Sequence, residues 1–208
     1  MKGTVFSVAL NHRSQLDAWD QAFRSPPYQT PPKTPVWFIK PRNTHLSNGG
    51  SIPFPAGETV QSGATLAVAI GTAARKVPAA KVADYVAGYA LANDVSLPET
   101  SFYRPAIKAK CRDGFCPLGE MVPLSHVEQL EIVTEINGIE QDRWSTADLV
   151  RSVPELIAAI SDFITLQPGD AVLIGTPHQR VEIKPGDAIT VRAAGLPTLN
   201  NRVMQVGE

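Results

Sequence analysis

Gly88–Gly119, GYALANDVSLPETSFYRPAIKAKCRDGFCPLG, is the stretch from which the rest of the chain is best read. An apolar run closes on Asn93-Asp94, a loop with Pro98 and Pro105 follows, and Ala106–Lys110 leads into a Gly/Cys/Pro turn. Just before and into it, Ala79–Asn93 sets Val82, Val86, Tyr89 and Ala90 at helical spacing, so a helix is expected there, ended by Asn93-Asp94. In Ala106-Ile107-Lys108-Ala109-Lys110, alternation puts both lysines on one face of a strand. Asp94 reads as a cap or turn residue, or as a metal ligand, because Mg²⁺ takes one or two protein carboxylates plus waters and substrate oxygens. Lys110 reads as a solvated edge charge, or as an ammonium that binds a substrate carboxylate and stabilises an enolate. Arg112-Asp113 suggests an adjacent ion pair, and Gly114 and Pro117 a tight loop that could offer backbone amides to an anion.

Working outward, Thr4–Leu10 is short, β-branched and apolar, as a strand is. Asn11–Phe23 sets Leu16, Trp19 and Phe23 on one helical face. Ser25–Lys33 holds four prolines and reads as a loop. Val36–Lys40 is a second strand, followed by Lys40-Pro41-Arg42-Asn43-Thr44, and Thr65–Ile70 a third, closed by Gly71. Leu130–Ile136 alternates apolar residues with Glu131 and Glu135 before an Asn137-Gly138 turn. Ser145-Thr146-Ala147-Asp148 resembles a capping box opening a helical stretch to about Thr165, divided or kinked at Pro154. Two Pro-Gly-Asp turns, 168–170 and 185–187, precede the strands Ala171–Ile174 and Ala188–Val191. Gly175-Thr176-Pro177 then either aims a hydroxyl and an amide at a carboxylate or is a plain turn. About eight strands and three or four helices without strict alternation give an α+β, mostly β, class.

At 208 residues the chain is one domain or two small ones, with room for a core. A net charge of −1 gives no reason to expect nucleic acid or a membrane surface as partner, and no apolar run approaches the ~20 residues of a span. The N-terminal apolar run lacks a small-residue cleavage site, so a cytoplasmic protein is expected. Cys111 and Cys116 are expected to be free thiols. His12, His45, His126 and His178 form no ligand pair, and His12 with Ser14 lacks a readable acid for a triad.

Taken in order, Leu10-Asn11, Trp37–Lys40, Leu66–Gly71, Gly88–Ser96, Lys110–Pro117, Asn137-Gly138, Thr146–Leu149, Leu166–Asp170 and Ile174–Pro177 resemble the fumarylacetoacetate hydrolase family across nearly the whole chain. The resemblance implies a mixed β-roll, with 1–208 as a single domain made of an amino-terminal segment, 1–57, and a catalytic-type roll, 58–208. It implies Mg²⁺ as cofactor and a 2-oxo or 2-hydroxy-dienoic dicarboxylate or tricarboxylate as substrate. It also implies a homodimer, or a hetero-oligomer with a homologous subunit. The segments from Met1 to Trp19 and from Ser101 to Gly119 are most similar to the amino-terminal half of two-half members that decarboxylate and isomerise in aromatic catabolism. Carried over, Asp94 is a metal ligand, Lys110 the catalytic lysine, and Lys40, Lys110 and Thr176 bind substrate. The family's two other metal carboxylates fall on Gly63 and Thr65, and its His/Glu dyad on Gln15 and Ala18, none of which can do that work. Two expectations follow: an enzyme acting with whatever metal Asp94, water and substrate hold, or a catalytically weak structural subunit paired with a metal-competent homologue.

Overall fold

A computed structural model describes residues 2–124 and 126–206; Met1, which opens the resemblance, lies outside them. The strands are β1 Val5–Ala9, β2 Val36–Lys40, β3 His45–Ser47, β4 Ser51–Phe54, β5 Val60–Ser62, β6 Ala64–Ile70, β7 Val86–Asn93, β8 Cys116–Leu118, β9 Glu131–Ile136, β10 Ile139–Ser145, β11 Ala171–Leu173, β12 Val181–Ile183, β13 Ala188–Arg192 and β14 Leu199–Gln205. The α-helices are α1 Arg13–Phe23, α2 Ile107–Lys110 and α3 Val153–Ser161, with short 3-10 turns at Arg42–Thr44, Ala79–Tyr85 and Thr146–Asp148. This is the expected mostly-β, α+β architecture.

A mixed sheet runs in the order β2-β1-β11-β6-β7-β8-β3, beside a second sheet, β10-β9-β13-β14-β4, and the β12-β5 pair. β1 lies parallel to β11 (Val5 opposite Ala171) and antiparallel to β2 (Val5 opposite Lys40). Strands from residues 1–57 therefore share sheets with strands from 58–208. All seven residues of β6 are buried. Leu66, Val68 and Ile70 enter the main core with Leu91, Ile157, Val172 and Ile174. On the other face Ala67 meets a thin layer of Val5, Ala90, Ala92, Ala171 and Leu173. A strand buried on both faces reads as continuously apolar rather than alternating.

Three local expectations need correction. Ala79–Asn93 is a 3-10 turn followed by β7, not a helix; Val86–Asn93 gains its ladder from β6, with Leu66 opposite Leu91, and that pairing overrides a spacing that also fits a helix. The lysines of Ala106–Lys110 stand on the short helix α2, not on a strand edge. The stretch from Ser145 is not one helix: a 3-10 turn stops at Asp148, and α3 begins afresh at Val153 with a true capping box, Ser152 and Glu155. Pro154 sits in the first turn of α3, where its missing N–H costs nothing.

Candidate functional site

Asp94 follows β7 directly, and the β6–β7 ladder fixes its backbone: Asp94 N–H donates to Gly63 O at 2.8 Å. Asn93 secures the corner, accepting from Gly63 N–H at 2.8 Å and donating to Ser62 Oγ at 2.9 Å. Three cations converge on the Asp94 carboxylate, which is 4% exposed. Lys40 Nζ, from the end of β2, lies 2.7 Å from Oδ1; Lys110 Nζ, from the end of α2, and Arg180 Nη2, just ahead of β12, each lie 3.1 Å from Oδ2. A second carboxylate, Glu99, stands 2.8 Å from Lys110 Nζ and 4.0 Å from Arg180 Nη2. The cluster thus holds three positive and two negative charges.

The donors are almost fully spent. Lys40 gives its three N–H groups to Val95 O, Lys110 O and Phe115 O at 2.8–2.9 Å, so Asp94 Oδ1 has its charge nearby but no aligned hydrogen bond. Lys40 is fully buried and has no proton left for a substrate, against its expected role as a substrate-binding group. Arg180 donates through Nη1 to Asp94 O and Ser96 Oγ, and through Nη2 to Asp94 Oδ2 and Thr176 Oγ1. Thr176 therefore orients Arg180. Lys110 also lies 4.7 Å from the Phe38 ring centroid, a cation–π contact.

Burial alone would push the Asp94 carboxyl up, but Lys110, Lys40 and Arg180 outweigh it and hold the group well below the usual carboxylate range. Glu99 follows the same pattern: burial raises it, and Lys110 with Arg180 brings it down. Burial lowers Lys40 despite Asp94. The Cys116 thiol is pushed up to about 12 by burial, and Cys111 is raised for the same reason; both are free.

Two cavities flank the cluster, with Glu99 lining both. One, about 680 Å³ and mainly apolar, is walled by Phe38, Phe102, Ile107 and Lys110; the other, about 570 Å³, by Trp19, Asp142, His178 and Arg180. The metal expected at Asp94 does not fit these residues. Among the described residues no three His, Cys, Asp or Glu side chains gather as ligands, and Asp94 already faces three cations. Thr65 spends its hydroxyl on Gly175 O, at 2.6 Å.

Other expectations also change. Arg112 pairs with Glu58, not Asp113, which accepts from Asn43. The loop amides at Gly114 and Phe115 donate to Asn43 O and Arg112 O and are not free for an anion. Gln15, at the dyad position, accepts from Leu10 N–H at 2.9 Å. His12 caps α1, its Nδ1 accepting from Ser14 N–H and lying 2.8 Å from Ser14 Oγ. Sequence reading missed Glu99 and Arg180. The one signal for Arg180 was its place four residues after Thr176, and nothing at Pro98-Glu99 marked a site.

Residues 4–204 match the family described as Fumarylacetoacetate (FAA) hydrolase C-terminal. The chain belongs to that family. It is 64% identical over 208 residues to the 4-hydroxyphenylacetate degradation bifunctional isomerase/decarboxylase of Escherichia coli, covering 100% of this chain and 48% of that protein. The chain thus spans about half the length of this relative. Among solved structures, 5-carboxymethyl-2-hydroxymuconate delta-isomerase from Mycobacterium smegmatis superposes with a TM-score of 0.85 at 31% identity, covering 99% of this chain and 80% of that one. Fumarylpyruvate hydrolase from Pseudomonas aeruginosa, in complex with Mn²⁺ and pyruvate, shares the fold at a TM-score of 0.85 and 22% identity, covering 98% and 90%. Among the described residues, no helix of this chain is long and apolar enough to cross a membrane.

Proposed function

We propose that this chain is a carboxy-lyase and/or intramolecular isomerase subunit acting on 2-oxo or 2-hydroxy-dienoic dicarboxylates in cytoplasmic 4-hydroxyphenylacetate catabolism. The observation that carries this reading is the convergence of Lys40, Lys110 and Arg180 on buried Asp94, beside an apolar cavity of about 680 Å³. The 64% identity to a named isomerase/decarboxylase supports it. Loss of CO₂ leaves an electron pair that spreads into a dienolate, and fixed cations in a water-poor site favour that charge. Lys110 is the group that meets the oxo-acid end: a substrate carboxylate takes the place Glu99 holds against it. Lys40 and Thr176 act one step back, Lys40 neutralising Asp94 and Thr176 aligning Arg180. Isomerisation moves a proton between carbons, and Glu99, which lines both cavities, is the carboxylate placed to carry it.

A second reading has its own support. Glu99 already pairs Lys110, and the chain matches 48% of the E. coli relative, so the chain can serve as the metal-free, catalytically weak partner of a metal-bearing homologous subunit. Ultraviolet-monitored turnover of the ring-cleavage-derived tricarboxylate separates the two. The purified, folded chain is expected to turn over substrate alone and equally with Mg²⁺ or EDTA. Turnover only after adding the metal-bearing homologue would establish the second reading instead.

A further inference from the structure

We infer that the Arg180 guanidinium takes the place of a divalent cation, so that the site holds oxo-acid anions without any metal. The inference rests on the substrate class proposed above and goes beyond it. The fold is shared with a hydrolase that holds Mn²⁺ and pyruvate together. In this chain Asp94, the residue expected to ligate a metal, is buried and has a planar cation, Arg180, against it. Arg180 Nη2 is 3.1 Å from Asp94 Oδ2 and 2.8 Å from Thr176 Oγ1, while Nη1 reaches Asp94 O and Ser96 Oγ at 3.0 and 2.6 Å. One guanidinium thus gathers four oxygens from two loops, as a coordinated ion would.

The neighbouring residue agrees. Gly63 has no side chain, and a Cβ there would stand 3.3 Å from Arg180 Cζ, 3.2 Å from Thr176 Cγ2 and 2.8 Å from Asp94 O. A side chain at position 63 would collide with the Asp94 backbone carbonyl and press more lightly on Thr176 and the guanidinium. Gly63 thus allows the close approach of the Asp94 turn and leaves the guanidinium its room. Arg180 is fixed from behind by the β12–β5 pairing, in which Val181 lies opposite Ser62. Its charge is permanent, so unlike a metal it cannot be stripped by a chelator. With Lys40 and Lys110 it leaves the cluster one positive charge in excess, a charge that an incoming carboxylate would balance.

Calorimetry with oxalate, an analogue of a 2-oxo-acid enolate, tests this on the intact chain. Wild-type protein is expected to bind oxalate equally in EDTA and in Mn²⁺. Arg180→Ala should weaken binding by about tenfold or more, because it removes the cluster's one excess positive charge. Guanidinium added at low millimolar concentration, far below denaturing levels, should restore much of that loss. Arg180→Lys, which keeps the charge but not the fork, should bind more weakly than wild type and gain nothing from guanidinium. Circular dichroism confirms that each variant is folded; if Arg180→Ala is not, the wild-type comparison in EDTA and Mn²⁺ and the Arg180→Lys result decide alone. Oxalate binding by wild type only when Mn²⁺ is present would overturn the inference while leaving the substrate class standing. No oxalate binding under any condition would overturn both.

Discussion

Lys40 touches one carboxylate and three backbone carbonyls without any exposure to solvent, which is the environment of a structural charge. The one charge–charge contact, with Asp94, gains roughly 5 kcal/mol at an effective dielectric of about 20, close to the several kcal/mol that each buried ion loses in hydration. The assembled cluster is thus near balance, but removing one member strands the rest. Lys40→Ala is expected to cost about 3–5 kcal/mol in urea unfolding, and Lys40→Ala with Asp94→Asn less than the two single changes summed. Additive effects would show that the pair is not coupled. Glu99 makes the opposite prediction for ligand binding. Glu99→Gln removes the charge that competes for Lys110, so oxalate should bind more tightly; unchanged affinity would mean that Glu99 does not hold the anion position. Asp94 and Glu99, both held below their ordinary range, stabilise the fold fully above the unfolded values of about 4. That stability is lost as pH falls through the lower folded values. Near-ultraviolet circular dichroism should therefore show unfolding in the acid range below about pH 4, with a shallower pH dependence in Asp94→Asn.

At the scale of elements, the ends of β1, β7 and β11 bring the site together, and Asn11 ties two of them. Its side chain donates to Ile174 O and Arg151 O and accepts from Arg151 N–H, at 2.9, 3.1 and 3.0 Å. Gly175 packs beside it at a φ of +107°, where a Cβ would lie 3.1 Å from Asn11 Cβ. Asn11→Ala is expected to cost about 2–3 kcal/mol and, by loosening the Thr176 loop, to weaken oxalate binding as well. A loss of stability with oxalate affinity intact would uncouple that loop from Arg180. Strands with strong local signals, β1, β2, β6 and β9, were legible in the sequence. β7 was not, because its apolar spacing also fits a helix and its exposure does not alternate along the strand. Asp94, Lys110, Lys40 and Thr176 were legible as residue types beside turns. Arg180 and Glu99 were not, since only long-range strand pairing and a loop crossing bring them within 3–4 Å of Asp94 and Lys110, 86 and 11 residues away in sequence.

At the scale of the molecule, an ordinary net charge of −1 conceals a buried centre with an excess positive charge. We infer that the described residues fold as one unit, because β1, β2 and β3 complete the sheet that β6, β7, β8 and β11 build. Fumarylpyruvate hydrolase shares this fold at a TM-score of 0.85, while in this chain three cations neutralise Asp94. The most direct test is a Mn²⁺ titration of the EDTA-stripped chain followed by electron paramagnetic resonance. The spectrum of free Mn²⁺ should persist undiminished at stoichiometric protein, in the presence and absence of oxalate. Stoichiometric loss of that signal, abolished by Asp94→Asn, would place a metal at Asp94 and contradict the assignment of its role to Arg180.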